Sequence, residues 1–128
     1  NNTDCINCSN DLDWKFIATV KKSVEDNMDN PSFNVDVLCN LLNMSRTSFY
    51  NKIKALTDQA PADYIRLIRL KHAAQLLKEQ KHTITEISEL TGFSDAKYFR
   101  EVFKKHFDMS PSQYAKRGKE GKDDKEIK

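Results

Sequence analysis

The chain has 128 residues, with 21 Lys and Arg, 19 Asp and Glu, and a formal net charge of +2. Its length fits one domain or two very small ones, and 38% hydrophobic with 31% charged residues excludes a disordered chain. Three Gly and three Pro are too few for the turns of an all-β protein. No apolar run approaches the ~18 residues of a membrane span, and no signal peptide is recognisable. We therefore expect a cytoplasmic domain without membrane contact.

The three cysteines are Cys5, Cys8 and Cys39. An odd number, with one member inside a helical pattern, argues against a disulfide framework. A structural zinc site needs four ligands, and neither a second C-x-x-C nor a histidine pair follows the first. A redox C-x-x-C would lie where a strand meets a helix, whereas Cys5 and Cys8 lie in a polar segment. We expect a flexible linker with no metal site; metal sensing through the two cysteines is the alternative.

Charge is distributed unevenly along the chain. Residues 1–32 hold three basic and six acidic residues, residues 33–117 hold fourteen and nine, and residues 118–128 hold four of each. The middle of the chain is therefore basic. A basic surplus of this size is weak evidence for nucleic-acid binding unless its position supports it.

Helical periodicity predicts about seven helices and no strand, so the predicted fold class is all-α. The first helix is expected to begin after Asp11 or Asp13 as N-cap. Its apolar positions keep helical spacing: Ile17, Val20, Val24 and Met28. In chain order the predicted organisation is a linker over 1–12, an N-terminal helix over 13–32, a first helix-turn-helix over 33–60, a linker helix over 61–80, a second helix-turn-helix with a closing helix over 81–117, and a charged tail over 118–128.

Local signals place the starts of these helices. Asn34 and Ser45 are expected N-caps of the two helices in the first helix-turn-helix. Pro61 suits the first position of the linker helix. Thr83 and Glu86 form a capping-box pattern at the start of the second helix-turn-helix.

The two helix-turn-helix segments are copies of one another. Offsets of 49 and then 50 residues align them, because the second turn has one extra residue. The aligned pairs include Leu38 with Ile87, Leu41 with Leu90, Met44 with Phe93, Phe49 with Phe99, Ile53 with Phe103, Lys54 with Lys104, Asp58 with Asp108, Pro61 with Pro111, and Tyr64 with Tyr114. The second helix of such a unit lies in a DNA major groove. A linker helix of roughly 27 Å suits recognition helices about one DNA turn, ~34 Å, apart.

Two motifs carry a family resemblance: MSRTSFYNKIKALTDQAPADYIRLIRLKHAAQLL and ITEISELTGFSDAKYFREVFKKHFDMSPSQY. On them, the segment from Phe33 to Arg117 resembles the DNA-binding domain of AraC/XylS-type transcriptional regulators. It is most similar to the C-terminal output domain of Bacteroides-type hybrid two-component system regulators. The resemblance implies a sequence-specific, double-stranded-DNA-binding transcription factor domain and an activator's output module. Its implied partners are DNA, RNA polymerase and a receiver domain of the same parent chain, with dimerisation through the parent protein.

The family usually has Gly after each recognition helix, whereas this chain has Asp58 and Asp108. Aspartate tolerates the left-handed cap conformation less well than glycine. Both helix ends are therefore expected to be somewhat weaker than the family pattern.

The resemblance also assigns contact residues on one face of each second helix. The expected base-contacting residues are Arg46, Thr47, Tyr50 and Asn51 in the first unit, and Ala96, Lys97, Arg100 and Glu101 in the second. Arginine matches guanine, asparagine matches adenine, and Glu101 suits a cytosine amino group or a neighbouring lysine. The alternative is that these are ordinary solvated positions.

The opposite faces of the same helices hold apolar residues and are expected to be core: Phe49, Ile53, Phe99, Val102 and Phe103. Late in each helix, phosphates rather than bases are in reach. The expected phosphate contacts are Ser45, Lys52, Lys54, Ser94, Lys104 and Lys105. For Ser45 and Ser94, capping of their helices is the preferred role. Backbone amides near Thr83 are a further phosphate candidate.

No catalytic site is predicted. The three histidines, His72, His82 and His106, are scattered without a paired carboxylate or thiol, and no phosphate loop or nucleophile motif is present. We therefore expect neither an enzyme nor a cofactor. The rival to DNA binding is a helical protein-interaction module whose basic helices dock on an acidic receiver domain or RNA polymerase subunit.

Overall fold

The computed structural model describes residues 5–118. This range contains seven helices and no strand, which confirms the all-α prediction. The helices are α1 (Asp11–Asp26), α2 (Val35–Leu41), α3 (Arg46–Thr57), α4 (Pro61–Glu79), α5 (Ile84–Leu90), α6 (Ala96–Phe107) and α7 (residues 111–118). Residues 1–4 of the predicted linker and residues 119–128 of the predicted tail lie outside the described residues. None of the described helices is long and apolar enough to cross a membrane.

The described chain divides into two compact units. Residues 5–28 and 32–69 form the first unit, with α1, α2, α3 and the first half of α4. Residues 29–31 and 70–118 form the second unit, with the rest of α4 and α5 to α7.

Helix α1 belongs to the core of the first unit. Its buried residues Ile17, Val20 and Val24 lie in the same apolar cluster as Phe49 of α3. The ring of Phe16 also meets Phe49 edge to face, with 6.2 Å between ring centroids. The N-terminal helix is therefore packed on the first helix-turn-helix.

The start of α1 differs from the sequence-based expectation. Asn10, rather than Asp11 or Asp13, is the N-cap, and its side-chain oxygen accepts a hydrogen bond from the Asp13 amide at 2.9 Å. The helix begins one residue earlier than a cap at Asp11 would allow. Both aspartates consequently lie in the first turn, where the helix dipole favours negative charge.

Arg69 of α4 is buried and holds the turn between α1 and α2. Its guanidinium donates to the backbone carbonyls of Met28 at 2.5 Å and Phe33 at 3.1 Å. These carbonyls lie in the connection between the two helices, where no helical partner serves them. Burial lowers the pKa of Arg69, and the charged hydrogen bonds offset the cost of that burial.

Residues 5–10, where the sequence predicts a flexible linker, form a loop that contacts the first unit. Cys5 and Cys8 are joined by a disulfide, and Cys5 is buried in the core of the first unit. The backbone amide of Asn7 donates to the carbonyl of Leu56 at 3.0 Å. Cys39 is a free, buried thiol, and burial raises its pKa.

The second unit is built around an aromatic cluster. Phe99 and Phe103 of α6 are fully buried, with ring centroids 5.7 Å apart. Phe93 from the preceding turn lies 5.1 Å from Phe99, and Tyr114 of α7 lies 5.4 Å from Phe103. These contacts fix α6 against the turn and the closing helix, as the sequence predicts for its apolar face.

The predicted capping box at the start of α5 is confirmed. The Thr83 hydroxyl accepts from the Glu86 amide at 3.1 Å, and a Glu86 carboxylate oxygen accepts from the Thr83 amide at 2.7 Å. The Thr83 backbone N–H holds the pKa of Glu86 below its ordinary value.

Candidate nucleic-acid interface

Helix α3 is positioned by its cap and by its buried face. Ser45 is the N-cap, as predicted, and its hydroxyl accepts from the Ser48 amide at 3.1 Å. Phe49 and Ile53 are fully buried. The side chains that the sequence assigns to base contacts are all exposed: Arg46, Thr47, Tyr50 and Asn51.

These four side chains are brought together at one open pocket of about 380 Å³. The remaining lining residues are apolar and come from the start of α2 and the start of α4: Val35, Ala60, Pro61 and Ala62. A polar wall on one helix thus faces a small apolar wall on the same unit. This arrangement presents hydrogen-bonding groups at the surface, as direct readout of base edges requires.

Arg46 has a partner that the sequence analysis missed. Its Nε lies 3.1 Å from Oδ1 of Asp36 in α2, and both side chains are largely exposed. The two residues are ten positions apart and no local pattern pairs them, because only the helix-turn-helix geometry brings the starts of α2 and α3 together. An exposed ion pair contributes about 0–1 kcal/mol, so Arg46 can exchange Asp36 for another acceptor at little cost.

Two of the predicted phosphate contacts on α3 already have partners within the protein. The Lys52 ammonium lies 4.5 Å from the centroid of the Phe16 ring, and the Lys54 ammonium donates to the Asp58 carbonyl at 3.2 Å. Neither lysine lines the pocket. The structure therefore separates Lys52 and Lys54 from the four residues that the sequence assigns to base contacts.

The C-terminal end of α3 is supported from outside the helix. Asp58 has a left-handed conformation, with φ of 62°, and its amide donates to the Lys54 carbonyl at 2.9 Å. The side-chain amide of Asn7 donates to Oδ1 of Asp58 at 3.2 Å and to the Ala55 carbonyl at 2.9 Å. The predicted weakness of an aspartate cap is therefore offset at this helix end.

Helix α6 begins at a different cap from the one predicted. Asp95, not Ser94, is the N-cap, and its carboxylate accepts from the Lys97 amide at 2.9 Å. The extra residue in the second turn places Asp95 directly before the helix, in the position that Ser45 has in the first unit. Ser94 is exposed and stays a candidate for phosphate contact.

The face of α6 opposite Phe99 and Phe103 is polar. Lys97, Arg100 and Glu101 are exposed, and Ala96 is half-buried. No ion pair joins Glu101 to another residue in the described range, so the expected alternative of a neighbouring lysine is not formed. The last turn holds the exposed basic residues Lys104, Lys105 and His106.

Tyr98 is an exposed aromatic residue that the sequence analysis did not assign. It lies next to Lys97, is 45% exposed, and its ring centroid is 6.2 Å from that of Phe93. The sequence feature that points to Tyr98 is an aromatic residue outside the apolar stripe of a basic helix. Within residues 5–118 no group of three or more His, Cys, Asp or Glu side chains is arranged to hold a metal ion.

Comparison with known proteins agrees with this geometry. A family model described as a helix-turn-helix domain matches residues 38–117. The chain is 45% identical over 106 residues to histidine kinase P4 of Formosa agariphila. That match covers 83% of this chain but only 8% of the kinase, so the chain corresponds to a small part of that relative.

Solved structures show the same fold. The C-terminal domain of the two-component response regulator yesN from Fusobacterium nucleatum is 27% identical, with a TM-score of 0.72 over 79% of this chain and 98% of that one. The DNA-binding domain of the global transcriptional factor AdpA, in complex with a target DNA, is 25% identical, with a TM-score of 0.72 over 79% of this chain and 90% of that one. The chain belongs to the helix-turn-helix family of AraC-type DNA-binding domains.

Proposed function

We propose that this domain binds double-stranded DNA in a sequence-specific manner, with α3 and α6 as recognition helices in two consecutive major-groove segments. The observation that carries the proposal is that both helices have one buried face and one exposed face. Each has phenylalanine on a buried face and exposed polar side chains on the other. A rigidly packed helix with an exposed polar face is the element that helix-turn-helix proteins insert into the groove.

Base recognition is assigned to the exposed faces. Arg46 and Arg100 are suited to bidentate contact with guanine, and Asn51 to contact with adenine. Glu101 has no ion-pair partner among the described residues and is suited to accept from a cytosine amino group. Thr47, Tyr50, Ala96 and Lys97 complete the proposed base-contacting set.

Phosphate contacts are assigned to residues outside that set. Lys104 and Lys105, in the last turn of α6, are exposed. Ser45 and Ser94 are exposed beside the starts of the two recognition helices. Lys52 and Lys54 can contribute once they leave Phe16 and the end of α3. Neutralisation of phosphates releases counterions, so the affinity falls steeply as salt rises.

The domain is further proposed to be the output module of a two-component regulator and to activate transcription in the cytoplasm. Two of the similar proteins are a histidine kinase and a response regulator's C-terminal domain. A receiver domain of the parent chain and RNA polymerase are the proposed protein partners, and dimerisation is proposed to occur through the parent protein. The proposal gives the domain itself no catalytic role and no cofactor.

The test is selection of bound duplexes from a random library, followed by affinity measurement for variants. The selected site should have two segments about 10 base pairs apart, one helical turn. Arg46→Ala should relax sequence preference in one segment and Arg100→Ala in the other, at a cost of about 1–3 kcal/mol each at the contacted base pair.

Lys104→Ala should weaken all duplexes about equally and reduce the salt slope by about one. Lys22→Ala, on the exposed surface of α1, is the matched control and should leave affinity unchanged. Unaltered binding and selection by Arg100→Ala would show that α6 is not a recognition helix. If selection with the parent chain yielded no preferred DNA sequence, that result would favour the protein-interaction alternative.

A further inference from the structure

The disulfide loop and the C-terminal end of α3 form a connected structure. Asn7 lies between Cys5 and Cys8 and makes three hydrogen bonds to the last residues of α3 and its cap. They run from its backbone amide to the Leu56 carbonyl, and from its side-chain amide to the Ala55 carbonyl and the Asp58 carboxylate.

We propose that Cys5 and Cys8 form a reversible thiol–disulfide site whose exchange partner is a dithiol, and that its oxidation state sets how firmly the loop holds the end of α3. The effect on DNA binding rests on the function proposed above. The proposed exchange itself does not depend on that function.

The bridge closes a very short turn around Asn7. The Cα atoms of Cys5 and Cys8 are 5.5 Å apart, with only Ile6 and Asn7 between them. Cys5 is buried in the core of the first unit, which anchors one end of the turn. With the bridge intact, Asn7 has few conformations available other than the one that meets α3. Reduction restores those conformations and lowers the fraction of time that the three hydrogen bonds are formed.

The two sulfur atoms differ in access. Cys5 is 3% exposed, whereas Cys8 is only half-buried. Access decides which sulfur a thiolate attacks in a disulfide. Reduction is therefore expected to begin at Cys8.

The thiolate of the dithiol attacks the Cys8 sulfur and forms a mixed disulfide, while Cys5 leaves as a thiolate and takes up a proton. The second thiol of the reductant then closes on its own sulfur and releases Cys8, which also takes up a proton. The reductant becomes a disulfide and the protein gains two thiols. A disulfide oxidant reverses the sequence.

The chain contains an internal control for this effect. Helix α6 is followed by the C-cap Asp108, which has the same left-handed conformation as Asp58, with φ values of 60° for Asp108 and 62° for Asp58. In both, the backbone amide donates to the carbonyl four residues earlier, at 2.8 Å and 2.9 Å. The end of α6 has no disulfide loop on it, so its stability should not respond to reduction.

The first experiment compares the oxidised chain with the chain treated with dithiothreitol. The thiol count should rise from one to three, since Cys39 is already free. Amide hydrogen exchange at Asn7 should become roughly tenfold faster, as expected for opening so short a covalent loop. Exchange at Asp58 should also accelerate, and exchange at Asp108 should not change.

A variant with both Cys5→Ser and Cys8→Ser should exchange like the reduced chain and should not respond to dithiothreitol. A thiol count that stays at one would overturn the proposal, because the bridge would not be a site of exchange. Equal exchange at Asn7 in the oxidised and reduced chains would overturn it equally, because the bridge would not hold the loop.

The second experiment measures the affinity of the same samples for the selected duplex. Reduction should weaken binding about fivefold, the equivalent of one net hydrogen bond. Asn7→Ala should weaken binding by the oxidised chain by a similar factor and reduce the further effect of reduction, since it removes two of the three hydrogen bonds through which reduction acts. Ile6→Ala, at a 65% exposed position in the loop, is the matched control and should bind like the parent.

The two experiments separate this proposal from the proposed function. A chain that binds no DNA in either state but shows the change in exchange at Asn7 would refute the proposed function and support the thiol–disulfide site. If amide hydrogen exchange at Asn7 changed on reduction but the oxidised and reduced chains bound the duplex with equal affinity, control of DNA binding by this site would be refuted.

Discussion

Helices α3 and α6 are each followed by a C-cap aspartate of the same conformation, Asp58 and Asp108, but the surroundings of the two aspartates differ. Glycine substitution should therefore affect the two helix ends differently. An aspartate with φ near 60° costs about 1 kcal/mol relative to glycine. At Asp108 the substitution removes no side-chain hydrogen bond to the described residues, so Asp108→Gly should gain about 1 kcal/mol of unfolding free energy. At Asp58 the carboxylate accepts from Asn7 at 3.2 Å, and loss of that bond costs about 1 kcal/mol. Asp58→Gly should therefore change stability by about zero.

Urea and thermal unfolding of the oxidised chain measure both values. Asp108→Gly should raise the midpoint temperature by roughly 4 °C, and Asp58→Gly should leave it within about 2 °C of the parent. In an Asn7→Ala background the compensating bond is absent, so Asp58→Gly should there recover about 1 kcal/mol. Equal gains for the two glycine variants in the parent background would refute the claim that Asn7 supports the end of α3.

Four further substitutions test other contacts. Asp36→Ala should tighten binding to the selected duplex about two- to fivefold in fluorescence anisotropy, because Arg46 no longer has to leave an exposed ion pair; weaker binding would mean that Asp36 positions Arg46 for DNA. Arg69→Met should lower the unfolding free energy in urea by about 3 kcal/mol, because two buried carbonyls lose a charged donor. A loss below about 1 kcal/mol would contradict the claim that Arg69 stabilises the turn between α1 and α2. Thr83→Ala should lower the unfolding free energy in urea by about 1 kcal/mol, because the N-cap hydrogen bond of α5 is lost. The folded pKa of Glu86 is lowered, so its contribution to stability is present above the ordinary glutamate pKa of about 4.3 and is lost as pH falls through the folded value. Glu86→Gln should remove this part of the acid dependence of the unfolding free energy, measured in urea from pH 6 down to about pH 2. An unchanged pH profile would contradict the capping box.

Features with local causes were predictable from the sequence. Asn34 and Ser45 were predicted as N-caps because their side chains reach amides only three residues away. The capping box at Thr83 has the same short range. The buried face of α6 follows from helical spacing, since Phe99 and Phe103 are four residues apart and share one face.

Features that depend on distant segments were not predictable. Asn7 and Asp58 are 51 residues apart, and Arg69 lies 41 residues from Met28. A single sequence gives no pattern for such pairs, because their geometry depends on how the helices pack. The polar sequence around Asn7 therefore predicts a linker.

The candidate site was predictable in its exposure but not in its contacts. The α3 residues that are predicted to contact bases are exposed as expected. The pairing of Arg46 with Asp36, in contrast, comes from the turn geometry and not from spacing. The N-cap of α6 is Asp95 and not the predicted Ser94, because one inserted residue shifts the start of the helix. The roles of individual side chains toward DNA stay predictions.

The most direct test of the account is the ratio of affinities for the selected duplex and for a scrambled duplex of the same length and composition, at one fixed physiological salt concentration. Sequence-specific reading by α3 and α6 predicts a ratio of at least about 10³. A ratio near one would contradict sequence-specific DNA binding, because phosphate contacts alone hold both duplexes equally well.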